Sequence, residues 1–323
     1  MFSSPVTDRI RHPTLWFDDG NIILTTKVSL FRVHRGLLSM NSPVFADMLS
    51  IPQPDHIEDG YEGLPVVEIS DNDAYFTHLL CFFYDHRYYQ GGTETTFEKI
   101  SGLLRMSTKY QMDDLRNEII SHLALAYPST LEKYLEVVNA KTQLPLFPPF
   151  HGQHFAVVAL AREIDASILL PAALWRSMCM PTQDILQGAV DLNGTRHILS
   201  PTDIQLCILK KSEEYKRQVG LEHFFGAMMK RTPTCDRQNQ RVGNQGVSPC
   251  AEIPTDKVLR HFLKTEETSR DNHDMLARLD ALEVWRPLIC ETCRECADSL
   301  ISISRENYWL DLPSVFELPK WSG

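Results

Sequence analysis

The change of periodicity within residues 15–49 constrains this chain more than any other stretch. It opens on a short apolar run, Leu15-Trp16-Phe17, and an acidic turn, Asp18-Asp19-Gly20. Two apolar stretches follow at 22–24 and 28–33, the second alternating in part. From Arg35 the spacing becomes helical, with Leu37 and Leu38 followed by Phe45, Met48 and Leu49. A switch from alternating to helical spacing predicts a β-meander feeding a helical hairpin. Ser42-Pro43 divides the two helices, since serine caps a helix and proline suits its first turn. Strands with one apolar face do not persist alone in water, so these helices should cover them.

Beyond a Pro-rich acidic excursion at 51–62, a strand is predicted at 65–69. Asp71 and Asp73 are cap candidates for a helix over 74–84, whose apolar positions Phe76, Leu79, Leu80 and Phe83 keep helical spacing. Gly91-Gly92 breaks the chain before a last helical pair. There Phe97, Ile100, Leu103 and Leu104 share one face, and Leu115, Ile119 and Leu123 another.

The run Phe31-Arg32-Val33-His34-Arg35, with Leu37-Leu38, Ser42-Pro43-Val44-Phe45 and Met48-Leu49, resembles the core signature of the BTB/POZ domain. It is most similar to the BTB proteins abundant in mushroom-forming (basidiomycete) fungi. Similar residues continue through 63–71, 75–84 and 103–123, the last including Lys109-Tyr110, so the resemblance spans 13–127. It implies an α+β fold, a small sheet covered by helical hairpins. It also implies an intracellular, cytoplasmic or nuclear protein that pairs with itself or other BTB proteins. Some relatives dock a cullin-type scaffold through surfaces that fall here at 73–84, 110–115 and 131–140. Others act in transcription through dimerisation and corepressor contact. Dimeric relatives pair an acid on the first long strand with the basic residue after the histidine. In this chain that pair falls on Asn21 and Arg35, with Asp19 nearby, so the charge pairing is replaced by a neutral partner. His34 at the junction is structural by the same resemblance.

The chain has 323 residues, of which 43% are hydrophobic, enough for two domains with sizeable cores. The divisions expected are a tail at 1–12, the BTB/POZ domain at 13–127 and a mostly α-helical domain at 128–323. Of the net charge of −10, residues 15–127 carry −8, which repels phosphate backbones and argues against direct nucleic-acid binding. Residues 1–14 lack an apolar h-region, so no secretory signal is expected. The longest apolar run, 155–161, is far short of a membrane span. No Gly-rich phosphate loop, G-x-S-x-G or H-E-x-x-H motif is present, so catalysis is not expected. An unrecognised Cys/His site is the minor alternative.

The second half reads as helices at 131–140, 155–164, 170–175 and 201–216, then a polar Cys-containing loop at 232–254. Helices at 256–264 and 272–285 follow, then a C-terminal helix and a Trp/Pro tail from Trp309, which resembles the closing segment of the same proteins. A long polar loop in a compact domain needs something to organise it. Cys235 and Cys250 in the loop and the C-x2-C pair Cys290 and Cys293 supply the four thiolates of a closed zinc site. Cys296, one helical turn on, is a substitute ligand. The site would be structural, because four protein thiolates leave no open position. The competing reading is that the late cysteines are reduced thiols packed along a helix. The function expected is therefore a non-catalytic interaction module, either a self-associating adaptor or a transcription-associated regulator.

Overall fold

A computed structural model of the chain describes residues 9–51, 60–85, 87–139, 146–214, 235–236, 250, 274, 276 and 289–321. It divides into two compact units, residues 1–123 with 145–148 and residues 124–144 with 149–323.

The first unit carries a four-stranded sheet of order β1-β3-β2-β4. Its strands are β1 (Ile10–Trp16), β2 (Ile22–Thr25), β3 (Ser29–Val33) and β4 (Val66–Glu68). Only β2 and β3 form an antiparallel hairpin; β1 joins β3 and β4 joins β2, both in parallel. The expected meander is thus corrected. Alternation identifies strands but says nothing about which neighbour each one takes. β1 begins at Ile10, inside the stretch expected as a tail. Among the described strands it lies at the edge, and it contains Pro13, whose missing N–H is tolerated at such an edge. The register of β1 on β3 shifts between Arg11 and Trp16.

Helices α1 (Arg35–Asn41), α2 (Pro43–Ser50), α3 (Asp73–Tyr84), α4 (Phe97–Lys109) and α5 (Asp113–Ala124) complete the unit. Phe31, Phe45, Phe76, Leu79, Leu80, Leu103 and Leu104 are fully buried, each contributing about 1.5–3 kcal/mol of transfer free energy. Phe45 stacks on Tyr110 at 4.4 Å. Ser42 Oγ accepts the Phe45 N–H at 3.2 Å, capping α2, and donates to the Tyr110 carbonyl at 2.7 Å. One hydroxyl therefore serves two helix ends. The cap of α3 is Asn72, which accepts the N–H groups of Ala74 and Tyr75. Neither expected aspartate fills that place. Asp71 instead accepts from Tyr110 at 2.7 Å and pairs with Lys109, and Asp73 accepts from Thr26.

The second unit holds α6 (Leu131–Val138), α7 (Gln153–Glu163), α8 (Leu170–Met178), α9 (Thr182–Gln187), α10 (201–214) and α11 (Glu291–Val315). Between α9 and α10 lies a short hairpin of β5 (Ala189–Val190) and β6 (Arg196–His197), where only helices and loops were expected. Strands of two residues leave no periodicity to read, although Asn193-Gly194 is a turn signal. Gly194 at φ +80° fits that turn. Gly152 caps α7 at φ +85°, where a Cβ would meet Ala189 and His197 at 3.0 Å.

Lys211 on α10 donates to the carbonyls of Met178 and Met180, satisfying the end of α8. Trp175, fully buried, donates to Asp274 at 3.1 Å, and Tyr134 donates to the same carboxylate. The Trp309–Pro313 segment is not a tail but part of α11. Proline at 313 has no N–H for the Trp309 carbonyl, and the Trp321 indole N–H fills that place at 3.0 Å. Trp309 stacks on Trp321 at 5.7 Å, packs on Tyr134 at 4.7 Å and donates to the Ser129 carbonyl at 2.8 Å. Most of 232–254, the expected helix at 256–264 and all of that at 272–285 except 274 and 276 lie outside the described residues, as do 215–216.

Candidate functional site

Cys290 is the N-cap of α11 and Cys293 lies in its first turn, so the C-x2-C spacing turns both sulfurs to one side of the helix start. Cys235 and Cys250 come from a separate segment. The four sulfurs all lie within 4.8 Å of one another. Cys235 Sγ stands 3.7 Å from both Cys250 Sγ and Cys290 Sγ. A disulfide holds its sulfurs at about 2.05 Å, and none of the eight cysteines is in one. Four sulfurs around a tetrahedral zinc at about 2.3 Å stand roughly 3.8 Å apart, close to the two 3.7 Å separations from Cys235.

The cluster is buried, with Ile289 beside it. The Cys290 backbone N–H donates to Cys250 Sγ at 3.3 Å. Sulfur is a weak acceptor as a thiol and a stronger one as a metal-bound thiolate. Cys296 is part-exposed and stands outside the four.

Two neighbours of the ligands escaped sequence reasoning. Asp236 accepts the Thr292 hydroxyl at 2.8 Å and the Thr292 N–H at 3.4 Å. These bonds hold the Asp236 carboxyl below its ordinary range. The only sequence signal was position, one residue beside Cys235 and the other inside the C-x2-C pair.

In the first unit, Asn21 Oδ1 accepts the backbone N–H of Arg35 at 2.9 Å, satisfying the start of α1 from the residue just before β2. The Arg35 guanidinium turns instead to the Leu49 carbonyl at 2.6 Å. His34 donates its N–H to the Tyr84 hydroxyl, which lies 2.9 Å from both that nitrogen and Nδ1. Nε2 of the same ring stands 3.2 Å from the Asp19 carboxylate. The acid near the signature thus meets His34 rather than Arg35.

Two of the remaining thiols, Cys179 and Cys207, are buried. Burial pushes Cys207 up to about 12 and Cys179 well above the usual thiol range, opposite to what activation requires. Among the described residues no helix is long and apolar enough to cross a membrane.

Residues 19–125 match the family model of the BTB/POZ domain. The N-terminal unit, a small sheet with its helices, is a BTB/POZ domain followed by a helical region. No curated protein matches the chain.

Proposed function

We propose that the protein works by binding other proteins rather than by catalysis, its BTB/POZ domain joining two copies of the chain. The observation that carries this reading is the domain itself at 19–125, a module class that supports protein interaction and self-association. The outer side of β1, which no other described strand covers, adds to it. Ile10 is 70% exposed there and Val28 beside it 54%, and Met40 on α1 is separately 77% exposed. Sedimentation of the full chain at micromolar concentration should give a dimer, weakened by Met40→Glu. A monomer throughout refutes self-association. A cullin-type scaffold, through the surfaces at 73–84, 110–115 and 131–140, or a corepressor are further partners for the same module. Affinity purification from native cells scored for cullin subunits against chromatin proteins separates those two.

We also propose that Cys235, Cys250, Cys290 and Cys293 hold a structural zinc ion. The support is the sulfur spacing, the burial and the two-segment origin of the ligands. Protein purified without chelator should carry close to one equivalent of zinc. Metal near zero, or full metal retained after Cys290→Ser and Cys293→Ser together, refutes it.

A further inference from the structure

The start of α11 poses a problem of its own. A helix begins with backbone N–H groups that have no intrahelical partner, and an N-cap side chain normally satisfies one of them. Here the N-cap is Cys290, and its side chain makes no cap hydrogen bond. Its sulfur faces the other three. The donor at Thr292 is met from another segment, by Asp236.

The geometry is specific. Both oxygens of Asp236 are engaged by one residue, Oδ1 by the Thr292 hydroxyl and Oδ2 by its N–H. Asp236 follows Cys235 directly, and Thr292 lies between Cys290 and Cys293. The two-pronged contact, between residues 56 apart along the chain, therefore sets where Cys235 stands relative to the C-x2-C pair. A carboxylate at this place also meets the positive end of the helix dipole. Asp236 and Thr292 are not themselves among the residues that could hold the ion.

We infer that Asp236 and Thr292 form a clamp that positions Cys235 against Cys290 and Cys293 for metal binding, an inference that rests on the zinc reading above. The clamp acts through the ligands: it holds the loop cysteine near its bound position before the ion arrives, so less chain ordering is charged to the binding step.

The test uses the full-length protein, with zinc affinity measured by competition with a chromophoric chelator and cobalt(II) as a spectroscopic probe. Asp236→Ala and Thr292→Val should each lower zinc affinity about 10- to 100-fold. Thr292→Ser, which keeps both donors, should stay close to the parent. At saturating cobalt both clamp variants should show the same tetrathiolate absorption as the parent, since the ligands are unchanged. The melting temperature should fall more in the zinc-loaded protein than in the metal-stripped one, because the clamp acts through the ligands on metal affinity. Unchanged affinity in both variants, with the parent binding zinc, overturns the clamp and leaves the metal site standing. An equal loss of apo stability and affinity makes the contact a structural one and also overturns it. A parent that takes up neither zinc nor cobalt overturns the metal reading, and the clamp falls with it.

Discussion

Replacing Trp321 by Phe isolates a single hydrogen bond with a defined cause. Proline at 313 takes away the N–H that the Trp309 carbonyl would receive inside α11, and the Trp321 indole supplies a substitute at 3.0 Å. Phenylalanine keeps an aromatic ring for the stack on Trp309 but has no donor. An unsatisfied buried carbonyl costs about 1–3 kcal/mol, and this part-buried one should lie near 1 kcal/mol. Pro313→Ala restores a helical N–H at the same carbonyl, so in that background the Trp321→Phe cost should shrink by about 0.5–1 kcal/mol. The double-mutant cycle cancels the ring area lost in both backgrounds. Urea unfolding followed by tryptophan fluorescence gives the four stabilities. A coupling below about 0.3 kcal/mol, within ordinary additivity, refutes the idea that the indole stands in for the missing amide.

Ser42→Ala should destabilise the first unit by about 2–3 kcal/mol in denaturant titration, since it removes the α2 cap and the buried donor to the Tyr110 carbonyl together. Glu317 occupies the left-handed position after α11 at φ 56°, where the Leu318 N–H reaches the Pro313 carbonyl and the Glu317 N–H reaches Ser314. Glycine fits that end better, so Glu317→Gly should raise stability by about 0.5–1 kcal/mol in the same assay. Burial holds His154, bonded to the Tyr127 hydroxyl at 2.9 Å, well below the usual histidine range and neutral in the fold. The unfolded chain then binds the extra proton, so this contribution is present above about pH 6.5 and lost as pH falls below it, at up to about 1.4 kcal/mol per pH unit. His154→Gln should flatten that slope in stability measured against pH, and an unchanged slope refutes the assignment.

What could be read from the sequence was local. Ser42-Pro43 announced the α2 cap because both residues act within one turn of their own position. The α3 cap misled for the opposite reason. Asp71 is as good a capping residue as Asn72, but Lys109 and Tyr110 claim it from nearly forty positions away, as their separations of 38 and 39 show. The parallel partners of β1 and β4 were likewise invisible, because alternation specifies a face and not a neighbour. The stretch from Trp309 read as a tail by resemblance, whereas α11 runs through it and past Pro313 to Val315. At the cysteines, spacing and composition singled out the four residues that the structure brings together. The Asp236–Thr292 contact had no such signature, since neither residue type is rare and the two lie 56 positions apart along the chain.

The strand order of the first unit also implies an order of assembly. Thr25 meets Leu30 and Ile22 meets Val33, so the β2–β3 hairpin closes over a handful of residues. Ile10 must find Ser29, and Ile23 must wait for Val66, before either outer strand is in place. Loop closure grows costlier with length, so the hairpin should form early, with β1 and β4 added later. In rate measurements, substitutions at Leu24 or Phe31 should slow folding, whereas those in β1 should mainly speed unfolding. β1 and β4 are each held by one neighbour among the described strands, which makes them the strands whose arrival and departure cost the sheet least.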